Sequence, residues 1–125
     1  MKSTILVCDN EEILRNLVRA SLDGNGYTFV EARDGDEALG LAQHAKPDLI
    51  LLDMMMPGRT GLEVLAELRR DPELRGIPVV MLTARAQVAD REAAERAGAN
   101  RFLAKPFSPL KLARLVEELL DNGRG

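Results

Sequence analysis

Five short apolar runs, each followed by an amphipathic stretch, limit most tightly what this chain can fold into. The first run is Ile5-Leu6-Val7-Cys8. Ile13, Leu14, Leu17, Val18 and Leu22 then recur at three- and four-residue spacing, which predicts a helix with those residues as its inward stripe. Asp23-Gly24-Asn25-Gly26 breaks the chain. Residues 27–32 read as a second strand, and Ala38, Leu39, Leu41 and Ala42 as a second helix stopped before Pro47. Leu49-Ile50-Leu51-Leu52 is apolar at every position, as expected of a strand covered on both faces of a parallel sheet. Thr60 and Glu63 have the spacing of a capping box ahead of Leu62, Leu65 and Leu68, and Asp71-Pro72 ends that helix. Val79-Val80-Met81-Leu82 is the fourth strand. An Ala-rich helix follows over 87–97, with Gly98 at its C-terminal cap. Phe102-Leu103-Ala104 is a short fifth strand. Ser108 and Pro109 then open a last helix striped by Leu112, Leu115, Val116, Leu119 and Leu120. Strand and helix alternate five times, so the expected fold is α/β: a parallel sheet with helices on both faces.

The 125 residues fit one domain, expected over 1–122 with 123–125 as a frayed tail. The net charge of -3 gives no basic excess to neutralise phosphates, and Trp is absent, so direct nucleic-acid binding is not expected. No apolar run approaches the ~18 residues of a membrane span, and Met1-Lys2-Ser3 carries no signal-peptide pattern. The single cysteine, Cys8, allows no internal disulfide; inside a strand it reads as a small buried hydrophobe, and the expected location is cytoplasmic. His44, late in the second helix, reads as a surface residue complementing the helix dipole. Met54, Met55 and Met56 read as loop packing.

Four of the five strands end alike, in an apolar run with a reactive polar residue just past it. Asp9, Asn10 and Glu11 follow the first strand, Asp53 the third, Thr83 the fourth and Lys105 the fifth. Parallel open sheets bind ligands at the carboxyl ends of their strands, so these residues share one edge; whether they meet depends on a strand order that alternation leaves open. Taken singly, Asp9 fits a helix N-cap, Thr83 a turn and Lys105 a solvated charge. Together they fit phosphoryl chemistry. Two neighbouring carboxylates ~4 Å apart repel by ~4 kcal/mol at an effective dielectric of 20, which a hard cation such as Mg²⁺ relieves. A carboxylate can attack phosphorus, and Lys105 and Thr83 offer a cation and a hydroxyl to the oxygens of the transferred group. With only four lysines among 17 basic residues, a lysine at this position is less readily incidental.

Ile5-Leu6-Val7-Cys8-Asp9-Asn10-Glu11, the run from Leu52-Asp53 through Met54-Met55-Met56-Pro57-Gly58-Arg59-Thr60-Gly61, Leu82-Thr83-Ala84 and Lys105-Pro106-Phe107 resemble the receiver domain of two-component response regulators over essentially the whole chain. The resemblance implies a flavodoxin-like, doubly wound (βα)5 sheet of order 2-1-3-4-5. It implies a switch rather than an enzyme, with Asp53 taking a phosphoryl group from a phosphohistidine on a sensor histidine kinase or phosphotransfer protein. It assigns Asp9, Asn10, Asp53 and the backbone carbonyl of Met55 to Mg²⁺. Lys105, Thr83 and Phe102 fall to phosphoryl binding and switching, Met55 and Arg85 to phosphoryl lifetime, and the bond before Pro106 is expected to be cis. Output is expected through the fourth helix, fifth strand and last helix, to a downstream target or output domain. Kinase docking is expected on the first helix near Asn10 and Leu14. The family usually carries two acidic residues after the first strand. Asn10 keeps an oxygen donor and removes a charge, so weaker Mg²⁺ binding is expected. Two alternatives stand beside this reading. One is a binding module of the same fold that is never phosphorylated, which Asn10 mildly favours. The other is an aspartyl-phosphate hydrolase using Asp9, which lacks both the Asp-x-Asp pair and a covering cap. A flavin carrier would need a phosphate loop after the first strand, and none is present.

Overall fold

The computed structural model describes residues 3–84 and 87–124, with the side chains of 122–124 left aside. The elements alternate throughout: β1 (Thr4–Cys8), α1 (Glu12–Ser21), β2 (Thr28–Ala32), α2 (Gly35–Ala45), β3 (Leu49–Asp53), α3 (Gly61–Arg70), β4 (Val79–Thr83), α4 (Val88–Ala97), β5 (Arg101–Ala104) and α5 (Pro109–Arg124). All strand pairs are parallel and the order is β2-β1-β3-β4-β5. Reversal of direction between β1 and β3 leaves a crevice at the carboxyl ends of the central strands.

The twofold period of a strand divides the core into two layers. Leu6, Cys8, Ile50, Leu52, Val79 and Met81 face one way and meet buried residues of α2, α3 and α4, including Ala38, Val64, Leu65 and Ala94. Ile5, Val7, Leu49, Leu51, Val80 and Leu82 face the other way and meet Val18 of α1 and Leu112, Val116, Leu119 and Leu120 of α5. Every residue of β3 and β4 is buried. Each fully buried Leu, Ile or Val contributes about 1.5–3 kcal/mol, so these two strands anchor the fold and hold whatever stands at their ends.

The local chemistry follows the sequence closely at the caps. Thr60 and Glu63 form the reciprocal capping box of α3. Gly98 ends α4 with φ of 103°, a conformation open to glycine and costly to most side chains. The Ser108 hydroxyl accepts from the amide of Lys111 at the start of α5. Two expectations change. Ile13 and Leu17 are exposed, at 84% and 42%, whereas Arg15 is buried beside Val18. The inward stripe of α1 is therefore Leu14, Arg15, Val18 and Leu22, rotated from the one apolar spacing predicts. An arginine whose charge is paired can occupy such a position. In addition, α5 continues to Arg124, past the expected end at 122. One glycine costs a helix about 1 kcal/mol, too little to stop one already packed through Leu119 and Leu120.

Candidate functional site

Strand register brings the polar strand ends together. Cys8 pairs with Leu52, which places Asp9 beside Asp53 one step further on. Asp53 stands opposite Leu82, and the amide of Met54 donates to the Leu82 carbonyl at 2.9 Å. Thr83 pairs with Ala104, and the Lys105 amide donates to the Thr83 carbonyl at 2.8 Å. The sheet alone thus gathers Asp9, Asp53, Thr83 and Lys105 at one end.

Side-chain contacts tighten the cluster. The Lys105 ammonium lies 2.7 Å from Asp9 Oδ2 and 3.4 Å from Asp53 Oδ1. Asp9 is fully buried, Asp53 is 4% exposed and Thr83 is fully buried. Asp9 Oδ1 accepts from the amide of Glu11 at 2.8 Å, and Asp53 Oδ1 from the amide of Met55 at 3.3 Å. Burial, and after it the neighbouring Asp9 carboxylate, push the Asp53 carboxyl above its ordinary range; Lys105 and the Met55 amide act against them. With both carboxyls ionised, the one ammonium leaves a negative excess that a further cation would offset.

The two buried carboxylates fit a hard divalent ion, which takes oxygen donors, and the Asn10 carboxamide and Met55 carbonyl are donors of the same kind on the adjoining loops. Among the described residues no group of three His, Cys, Asp or Glu side chains is placed to hold a metal. Asn10, next to Asp9 in the chain, carries a carboxamide rather than a third acid. It is exposed, as is Met55 at 51%. Arg85, expected to tune phosphoryl lifetime, lies outside the described residues. Lys105–Pro106 is a cis peptide bond.

Gly61 shapes the wall behind Asp53. A side chain there would run into the backbone carbonyl of Asp53 and the Cα of Met54, while the Gly61 amide donates to the Met54 carbonyl at 3.0 Å. Only glycine lets the loop after β3 fold back this closely. Phe102 lies two residues before Ala104, packs partly buried against the core under α4, and has the Arg91 guanidinium 5.0 Å from its ring centroid. Of α4, only Ala94 is buried.

Sequence reasoning missed Arg15. Its Nη1 donates to the Asp9 carbonyl at 2.7 Å and its Nε to Glu31 at 3.0 Å. The available signal was its spacing, three residues before Val18 and seven before Leu22, on the inward side of an amphipathic helix. Cys8 is buried, and that burial, with Asp9 and Glu37 nearby, pushes its thiol far up, so it is an unreactive core residue.

An open α/β sheet of this order, with two carboxylates and a lysine at the ends of its first, third and fifth strands, defines the class of receiver-type signalling domains. The comparisons agree: residues 5–117 match the response regulator receiver domain, and the chain belongs to that family. It is 41% identical over 120 residues to the phosphate regulon transcriptional regulatory protein PhoB of Escherichia coli, covering 96% of this chain and 52% of that protein. The chain spans about half the length of the curated relatives it matches. The chemotaxis response regulator CheY4 of Vibrio cholerae superposes with a TM-score of 0.88 at 31% identity, covering 95% of this chain and 99% of CheY4. The receiver domain of the Francisella response regulator 1452 superposes with a TM-score of 0.89 at 29% identity, covering 97% and 98%. The family is one of signalling domains rather than enzymes. Among the described residues no helix is long and apolar enough to cross a membrane.

Proposed function

We propose that this domain is a cytoplasmic phosphorylation switch in which Asp53 accepts a phosphoryl group from a phosphohistidine on a sensor histidine kinase or phosphotransfer protein. The observation that carries the reading is Lys105, whose ammonium lies 2.7 Å from Asp9 and 3.4 Å from Asp53 in an otherwise buried pair of carboxylates. A bond forms between an Asp53 Oδ and phosphorus as the P–N bond to the donor imidazole breaks, and the electron pair returns to the ring nitrogen. Asp9, Asn10, Asp53 and the Met55 carbonyl would hold Mg²⁺, which supplies positive charge for the oxygens of the transferred group. Lys105 supplies the other positive charge, and the Thr83 hydroxyl bonds a phosphoryl oxygen. Met55 sets phosphoryl lifetime: an apolar side chain beside Asp53 is poor at orienting an attacking water.

The signal leaves through α4, β5 and α5. Movement of Thr83 toward the phosphoryl group frees space near Phe102, and α4 is shallowly packed and readily displaced. The kinase docks on α1, where Ile13 and Leu17 are exposed near Asn10. The downstream partner is a protein target or an attached output domain, with no direct contact between this domain and nucleic acid. The deciding experiment incubates the protein with acetyl phosphate, with and without Mg²⁺, and measures intact mass. A Mg²⁺-dependent mass gain is expected in wild type and not in Asp53→Ala. No gain in wild type would favour the phosphorylation-independent binding module to which the loss of an acid at Asn10 also points.

A further inference from the structure

We propose that Arg15 is a positioning residue for the Mg²⁺ site, acting by locking the Asp9–Asn10 peptide plane from behind; this rests on the phosphoacceptor reading above. Among the described residues, the Asp9 side chain and amide make three polar contacts, one within its own loop and two to other elements. Its amide donates to the Ala32 carbonyl at 3.0 Å, its Oδ1 accepts from Glu11, and its Oδ2 from Lys105. The carbonyl is the remaining handle, and Arg15 Nη1 takes it at 2.7 Å. That oxygen belongs to the planar peptide joining Asp9 to Asn10. Fixing it fixes the direction in which the chain enters Asn10, and with it the pose of both donors.

Arg15 is itself held. It is 8% exposed, and its Nε donates to Glu31 Oε1 at 3.0 Å while Glu31 Oε2 takes Arg19 at 3.1 Å. Glu31 is fixed in β2, in register with Val7 of β1. A rigid guanidinium fork bonded at both ends transmits the position of β2 to the loop after β1, which a lysine with a single point charge would not. The arrangement matters more here than in an all-acidic site. Asn10 is neutral and exposed, so a cation exerts little pull on it, and its carboxamide has to be presented by the backbone.

The test is calorimetric titration of the full chain with MgCl₂ for wild type, Arg15→Met and Glu31→Gln, well below each melting temperature, with circular dichroism confirming the fold. Arg15→Met is expected to weaken Mg²⁺ binding about 10-fold or more, the usual consequence of losing the support behind a metal ligand. Glu31→Gln, at a side chain 31% exposed, is expected to weaken it less and in the same direction. A residue that only staples α1 to β2 would lower the melting temperature and leave the Mg²⁺ affinity alone; that pattern overturns the proposal. Should Arg15→Met not fold, an unchanged affinity in Glu31→Gln overturns it alone. Absence of Mg²⁺ binding in wild type would sink the phosphoacceptor reading itself, an outcome distinct from wild-type binding that the variants share.

Discussion

Replacing Lys105 by methionine tests the electrostatics of the site directly. The Lys105 side chain is 13% exposed and its ammonium sits against two buried carboxylates. At an effective dielectric of about 20, unit charges at 2.7 and 3.4 Å attract by about 6 and about 5 kcal/mol. Most of this offsets the cost of taking three charges out of water. What a variant loses is smaller, because breaking a buried pair from one side costs about 3–5 kcal/mol, mainly from the charge left behind. We expect Lys105→Met to lose about 3 kcal/mol at pH 7 without Mg²⁺, a fall of about 10–15 °C in melting temperature for a domain of this size. The loss has a pH signature. Lys105 is one of the groups that hold the Asp53 carboxyl down against burial and Asp9, so without it that carboxyl rises further. Once Asp53 is protonated less charge is left uncompensated, so the gap between the proteins narrows as pH falls. Mg²⁺ should restore more stability to the variant than to wild type, because the ammonium no longer competes for the same oxygens. Urea titrations at pH 7 and pH 4, with and without MgCl₂, measure all three effects. A loss below about 1 kcal/mol at pH 7, against the 3–5 expected for a broken buried pair, would refute the reasoning. So would an equal loss at both pH values.

Asp53→Asn should stabilise the metal-free protein at neutral pH. The carboxyl of a folded acid with a raised pKa is favourable below its ordinary value of 3.8, and the contribution is lost as pH rises through the raised value. A urea midpoint that falls at pH 7, or a gain that persists below pH 3.8, contradicts this. Asn10→Asp should tighten Mg²⁺ binding by restoring a charge to the oxygen set, and equal affinities by calorimetry would remove the explanation for weak binding. Met55→Asn should shorten the lifetime of phosphorylated Asp53 by giving water a polar side chain to bind; radiolabel decay as slow as in wild type counts against the role given to Met55. Arg69→Met should cost about 2–3 kcal/mol in a urea melt, because its guanidinium bonds the carbonyls of Gly98, Arg75 and Ile77 and the Asn100 side chain, and charge-assisted bonds are the stronger kind. A cost within 0.5 kcal/mol, the range of an ordinary surface substitution, would show that water replaces it.

The sequence by itself determined the alternating architecture and the residues of the candidate site. Strands β3 and β4 are legible because a strand buried on both faces must be apolar at every position. The caps at Thr60, Gly98 and Ser108 are legible because each satisfies local backbone groups within a turn. Asp9, Asp53, Thr83 and Lys105 could be picked out because apolar runs end at them. Only the tertiary structure decided whether they meet. Asp9 and Lys105 are 96 residues apart and touch through the register of β1, β3, β4 and β5, which no local pattern encodes. It also decided which face of α1 turns inward. Apolar spacing favours Ile13 and Leu17, but the Asp9 carbonyl and Glu31 together make a partner for Arg15 that hydrophobicity cannot anticipate. The need for glycine at position 61 is of the same kind, since it comes from the backbone of Asp53 passing behind it. Periodicity reports how a segment meets a core as a whole, whereas a particular pairing depends on what the rest of the chain brings alongside.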